Sequence, residues 1–553
     1  MARHGSARFR TRDVVDFVIV GAGAAGGIVA KELATAGFEV VVLEQGPRLE
    51  ASDFEHDELK YFFQNGITND QPQTYAPTPD QQAQPGAGRL VYARLVGGGS
   101  VHFTANYWRF HEIDFVESSR RGPISGTGFA DWPITYADLE PYYTKAEWEL
   151  GVSGTPGPFD AHRSRPYPMP PVPVKASGVL FERGCKKLGL HAQPAPLAIL
   201  SQPFHGRPAC HHCGFCLGFG CEFRAKSSTL YTVIPTAEAT GRCEIRPNSY
   251  AHRVEMDERS GRAIGVTYFD QHKVEHLQRA RAVVVCANGA ETPRLLLMST
   301  SNRFPQGLAN SSGLVGKYLM FNGYTTVSGT FDRKLNEWKS VAATRMIHDF
   351  YDSDPARGFY GGGGIDARFA GYPVSFALGG MFGDLGPNSP TWGAEYKRLL
   401  RESFSYTTQL GCHATSLPLE TNAVSLDPEL KDAWGKPALR FTYQDHPDDL
   451  ATQRFLQGKG LEILDAAGAR RTWAQPVKPA NFAVHLLGTC RMGHDPRTSV
   501  IDRYHRTHDV RNLFLCDGSS FVTSGRGQPT CTIQALAYRA GDQVARLARR
   551  GEI

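Results

Sequence analysis

Asp16-Phe-Val-Ile-Val20-Gly21-Ala-Gly23-Ala-Ala-Gly26, running on to Glu44, is the stretch that decides the fold. Asp16 to Val20 has the β-branched and aromatic composition of a short buried strand. Ile28 to Ala36 then places its apolar residues at helical spacing, Gly37 stops the helix, and Glu39-Val-Val-Val-Leu43 is a second buried strand. Strand, turn, helix and strand in this order make a βαβ unit, which implies a parallel sheet with helices on its faces. In the turn Gly21-x-Gly23-x-x-Gly26, the first glycine permits the tight bend and the second lets the backbone approach a pyrophosphate. The third allows close helix–strand packing. The helix N-terminus offers free N–H groups and its positive dipole end to phosphates. Glu44 ends the second strand, where a carboxylate accepts hydrogen bonds from an adenosine ribose and disfavours a 2′-phosphate. A glycine-rich turn alone is a weak signal; with strand, helix and acid in register it predicts dinucleotide binding.

Working outward, residues 51–88 are polar and rich in Gln, Asp and Pro, and read as a lid-like excursion. Trp132 to Tyr143 starts a helix with Asp138 near its first turn, and Pro156 to Pro173 is extended. Ala282-Val-Val-Val-Cys286 is a further buried strand, followed by a helix from Arg294 to Met298. Between Asn302 and Phe482 the texture alternates, with Tyr324–Phe331 and Val374–Leu378 as strands of an antiparallel sheet. Leu513–Cys516 and a helix from Thr532 to Arg549 restore the α/β pattern. Sheet pieces at both ends predict a discontinuous cofactor domain: 14–130, 225–301 and 483–553. Residues 131–224 form a substrate-side segment and 302–482 an inserted α+β substrate domain.

Five blocks in this order resemble the glucose–methanol–choline (GMC) flavoprotein oxidoreductases, over nearly the whole chain. They are the N-terminal turn, Val96-Gly-Gly-Gly-Ser-Val-His102 with Asn106, and Ala287-Asn-Gly-Ala-Glu-Thr-Pro-Arg-Leu-Leu-Leu297. His485-Leu-Leu-Gly-Thr-Cys-Arg-Met-Gly493 and Asn512-Leu-Phe-Leu-Cys-Asp-Gly518 complete the set. The resemblance implies FAD rather than NAD, held in a doubly wound Rossmann-type domain, with Gly98, His102, Asn106 and Asp517 near the flavin. It implies that His102 lies against the isoalloxazine, packed on it or, as in some relatives, bonded to it.

Oxidising an alcohol with a flavin requires a base for the hydroxyl proton, and histidine titrates in a suitable range. The resemblance assigns that role to His485. The family's second catalytic position carries His or Asn; here it is Gln528, in Gly525-Arg-Gly-Gln-Pro-Thr530. Glutamine donates and accepts hydrogen bonds but is no base, so it is expected to orient the substrate. The expected activity is oxidation of a sugar, sugar acid or related alcohol, as in the sugar- and gluconate-dehydrogenase branch. A catalytically silent flavin- or metal-binding electron-transfer subunit is the alternative that Gln528 keeps open. His505 and His508 lie in a polar, Arg-rich loop and read as surface residues.

Eleven cysteines include Cys210, Cys213, Cys216 and Cys221, spaced C-x2-C-x2-C-x4-C. Such a loop is a donor set for an iron–sulfur cluster or a structural zinc, or else a thiol-rich loop without metal. Related dehydrogenases that pass electrons to cytochrome partners carry a cysteine-rich loop here, which implies a partner subunit as electron acceptor. The other seven cysteines are scattered, as buried thiols in a reducing compartment would be. A net charge of +5 without a basic stripe gives no reason to expect nucleic acid. The short basic Met1–Arg12 precedes no secretory apolar core and no run is long enough to span a bilayer, so the expectation is a cytoplasmic protein, or one exported with a signal-bearing partner.

Overall fold

The computed structural model describes residues 8–369, 371–378 and 385–553; the first seven residues of the basic N-terminal stretch lie outside them. The βαβ unit is formed by strand Val15–Val20, helix Gly26–Thr35 and strand Val40–Leu43. Around it a parallel sheet assembles from distant segments. Cys243–Arg246 pairs with Val40–Leu43, and Glu275–Val285 pairs with Val15–Val20. Leu513–Leu515 then pairs with the far side of Glu275–Val285. Side chains alternate between two cores, as strand geometry demands. Val18, Val41, Val283 and Leu513 face one core; Ile19, Val42, Val284 and Phe514 face the other. Both faces are therefore covered, which explains the uninterrupted apolar runs. The C-terminal helix Thr530–Arg549 packs on the second face beside Gly26–Thr35.

A six-stranded antiparallel sheet forms the other half. Its order is Arg471–Ala474, Gly323–Thr330, Thr407–Ala414, Gly363–Arg368, Ala343–Ile347 and Gln193–Pro194. Period-2 geometry splits this sheet cleanly. Ile365, Ala367, Leu410 and Cys412 pack against helices Ala176–Lys187 and Pro447–Ala467, so Asp366, Arg368 and His413 stand on the opposite face.

Three local expectations are corrected. Pro373–Ala377 is a helix rather than a strand, because Pro373 at the first helical position is preset for a helical turn. The helix after strand Glu275–Val285 begins at Asn288, not Arg294, because the Asn288 side chain accepts from the N–H groups of Ala290 and Glu291. The 51–88 excursion is partly core: Phe54, Tyr61 and Ile67 are buried, and Gln73–Ala76 joins a small sheet by pairing with Pro437–Thr442.

Candidate active site

The C-terminal ends of the parallel strands open into a cavity of ≈ 900 Å³ that reaches across to the antiparallel sheet. Of the residues singled out from sequence, Gly21, Gly23, Glu44, Gly98, His102, Asp517, His485 and Gln528 all line it. Gly26 lies behind the wall, where a Cβ would stand 1.9 Å from the Gly21 carbonyl oxygen; only glycine lets the helix start that close. The second glycine block is nested on the first, since a Cβ on Gly98 would lie 2.6 Å from Gly23 Cα.

Glu44 accepts from the Ala22 and Gly46 N–H groups, each at 3.0 Å. Burial nonetheless raises its pKa to about 7, so further donors from a ligand would be favourable there. Asp517 is a pin across the cavity floor. It accepts from Asn288 N–H (3.0 Å), Thr292 Oγ1 (2.6 Å) and Ser519 N–H (2.7 Å), and burial raises its pKa. His102 Nε2 is buried without a partner, and burial, then Lys226, lower its pKa to about 4.

His485 sits on a clamped segment. Leu487 and Met320 exchange backbone hydrogen bonds, and Gly488 N–H donates to Gly518 O at 3.0 Å. The Leu486 carbonyl fits a slot made by two glycines: a Cβ on Gly289 or Gly518 would approach it to 2.1 or 2.4 Å. The preceding histidine is thereby held in the wall. Burial, then His413 and Arg368, push its pKa down to about 3, so its imidazole is neutral at ordinary pH.

The sheet face supplies residues that the sequence analysis did not single out. His413, Arg368 and Tyr324 line the cavity from the sheet, joined by Asn322 just before strand Gly323–Thr330 and Gln453 of helix Pro447–Ala467, with Asp366 buried behind Arg368. Their signal was the alternation in Gly363–Arg368 and Thr407–Ala414, where polar residues recur on one face. Asn106 is not among the residues that line the cavity; its amide donates to Asp366 Oδ2 at 2.6 Å. Trp108 is buried edge-on against His348 and His413, while Arg109 is committed to Glu147 and Glu140. His505 is corrected, from surface to fully buried, with Nδ1 3.1 Å from Leu515 O; His508 is half-buried against Ser499.

The cysteine loop packs directly behind the cavity. Gly218 N–H donates to His102 O at 2.8 Å, and the buried Lys226 ammonium donates to the carbonyls of Phe103, Cys216 and Phe219. All four cysteines are free thiols, and burial raises Cys210 to about 11 and Cys216 higher still. Among the described residues no three His, Cys, Asp or Glu side chains converge as a metal site. Of the alternatives for Cys210, Cys213, Cys216 and Cys221, the iron–sulfur cluster and the zinc are therefore not supported. The loop's carbonyls are directed to an ammonium that the chain itself supplies. Nor, among those residues, is any helix long and apolar enough to cross a membrane.

Two GMC oxidoreductase family models match the chain, over residues 15–320 and 418–537. A 2-methyl-1,2-propanediol dehydrogenase from Mycolicibacterium austroafricanum is 35% identical over 97% of this chain and 96% of its own. A fructose dehydrogenase large subunit from Gluconobacter japonicus is 30% identical over 97% and 98%. Among solved structures, a formate oxidase of Aspergillus oryzae superposes with a TM-score of 0.70 at 14% identity, covering 98% of this chain and all of that one (100%).

Proposed function

The chain belongs to the GMC oxidoreductase family, and on that premise we propose that it oxidises a CH–OH group of a sugar, sugar acid or related alcohol. The family's cofactor is FAD, and the cavity fits it on its own terms. It has glycine backbone at one wall, a carboxylate at the ribose end and an unpartnered buried His102 Nε2 further along. Gly21, Gly23, Gly98, Glu44 and Asp517 would hold the dinucleotide, with His102 against its ring. When bound, FAD supplies a two-electron acceptor for the hydride of the alcohol carbon.

The observation that carries the reading is that His485 and Gln528, 43 residues apart in sequence, line the same cavity as the glycine turn. His485, kept neutral by burial, takes the hydroxyl proton at a ring nitrogen; Gln528 orients the substrate. A base whose protonated form is disfavoured before reaction still accepts a proton as the alkoxide forms, because the developing charges pair. Tyr61 and Phe62 of the 51–88 segment also line the cavity, where their rings would limit the access of water to the reacting centre. The dehydrogenase names of the relatives support transfer of electrons to an acceptor other than oxygen, and the large-subunit relative supports a partner subunit.

The test is anaerobic addition of a sugar and alcohol panel to the flavin-loaded protein. Wild type should bleach, and His485→Ala should keep its flavin and lose at least about a thousandfold in reduction rate, the scale of a lost general base. Normal bleaching in His485→Ala would refute the base assignment. A wild type that no alcohol bleaches would point to the silent electron-transfer subunit instead.

A further inference from the structure

Which end of the Gln528 amide meets the substrate is decided by the sheet behind it. Gln528 is buried, and its amide lies 3.2 Å from His413 Nδ1. On the other side of that ring, Nε2 faces Asp366 Oδ1 at 3.4 Å, and neither of these two buried atoms makes a hydrogen bond. Asp366 is fixed through its second oxygen, which accepts from Asn106 Nδ2 and Arg368 Nη2, each at 2.6 Å. Burial opposes its ionisation, but Arg368 and His413 outweigh this and hold the carboxyl at about 2. An ionised carboxylate only accepts, so the His413 proton sits on Nε2. Burial lowers the His413 pKa by more than Asp366 restores, and the ring is neutral. Tyr324, Arg368, His348 and His485 are the other titratable or charged groups around it. Nδ1 is then a lone-pair acceptor, and only the amide NH₂ of Gln528 can face it.

We infer that Asp366 and His413 lock Gln528 with its carbonyl oxygen turned toward the cavity, where it accepts a hydrogen bond from a second hydroxyl of a vicinal diol or polyol. The reacting hydroxyl gives its single proton to His485, so an acceptor beside it needs a further O–H. A glutamine oxygen is therefore matched to an adjacent hydroxyl, and a mono-alcohol leaves it unpaired. Gln528 touches the substrate; His413 and Asp366 are positioning residues. The inference rests on the alcohol-oxidising reading and narrows its substrate class.

The experiment compares kcat/KM for 1,2-propanediol and 1-propanol, with anaerobic flavin reduction by each, in the FAD-loaded protein. The diol-to-alcohol ratio cancels losses common to both substrates. It should be about tenfold or more in wild type, the worth of one buried hydrogen bond. It should fall toward unity in Gln528→Met and survive in Gln528→Glu, which keeps an acceptor at the same reach. Asp366→Asn can donate to His413 Nε2, which moves the ring proton to Nδ1 and turns the amide around, so this variant should lose the ratio while retaining FAD. A wild-type ratio near one, or a ratio that survives in Gln528→Met, overturns the proposal and leaves alcohol oxidation standing. A ratio retained in Asp366→Asn overturns the tautomer lock. A wild type that no sugar or alcohol of the anaerobic panel reduces, these two probes included, overturns the alcohol-oxidising reading; one that a mono-alcohol of the panel reduces as fast as its vicinal-diol counterpart overturns this inference alone.

Discussion

Acidification should destabilise this protein through histidines that the fold keeps neutral, and His505 and His348 allow the size of the effect to be worked out. His505 is fully buried and its pKa is pushed down to about 3, by burial first and then by Arg539. His348 is 4% exposed, neither ring nitrogen has a partner, and burial takes it to about 4. In the unfolded chain both titrate near 6.5. Folded pKa values below the unfolded one mean that the unfolded state binds more protons as the pH drops. The stability they confer is thus complete above about pH 6.5 and lost as the pH falls toward their folded values of about 4 and 3. At about pH 4.5 the loss is roughly 2.7 kcal/mol for each, or about 5 kcal/mol together. That is a large part of the roughly 5–15 kcal/mol that holds a typical fold. Urea titrations followed by tryptophan fluorescence, at fixed ionic strength between about pH 7 and pH 4.5, measure it. The double variant His505→Asn, His348→Gln cannot titrate there; asparagine also tolerates the left-handed backbone of His505, φ 65°. Its stability should fall by about 5 kcal/mol less over that interval than wild type's. Equal pH dependence in the two proteins would show that these rings are protonated or solvated in the native state.

Gly26→Ala should abolish FAD retention, seen as loss of flavin absorbance per protein, because its Cβ would stand 1.9 Å from the Gly21 oxygen and force the turn open. Arg526→Met should cost about 3–5 kcal/mol in a denaturation curve. It strands the buried Asp114 and Glu117, now 2.5 and 2.6 Å from the guanidinium, without a counter-charge. Lys226→Met should release the cysteine loop, since it removes the donor to three carbonyls. Cys216 should then react with a thiol reagent at least about tenfold faster, the rise expected if local opening becomes easier by about 1.4 kcal/mol.

The parallel half of the fold was legible because its signals are local. A tight turn, a helix start and two buried strands occupy adjacent residues, and glycine at Gly26 is required by its contact with Gly21 within that unit. Family blocks extended this legibility to His485 and Gln528, which do line the cavity. They did not reveal what stands behind Gln528. His413 and Asp366 lie on neighbouring antiparallel strands, and their proximity depends on a register in which Gly411 opposes Asp366. No spacing along the chain encodes that pairing. His505 was misread for a related reason: a polar, Arg-rich loop looks solvated until strand Leu513–Leu515 and helix Thr530–Arg549 are folded over it.

The sequence by itself determined the dinucleotide turn, the alternation of element types and the family-specific order of blocks, because each is written in short-range spacing. Only the tertiary structure decided where polar side chains end up when the antiparallel sheet closes against the parallel one. It placed an ammonium inside the cysteine loop, for which a cluster, a zinc and a metal-free thiol loop had all been open. It also gave Asn106 to Asp366 rather than to the cavity, and put a neutral His413 behind Gln528. The physical reason is that hydrogen-bond partnership and desolvation are set by what surrounds a group in space, and those neighbours come from segments as much as 260 residues apart.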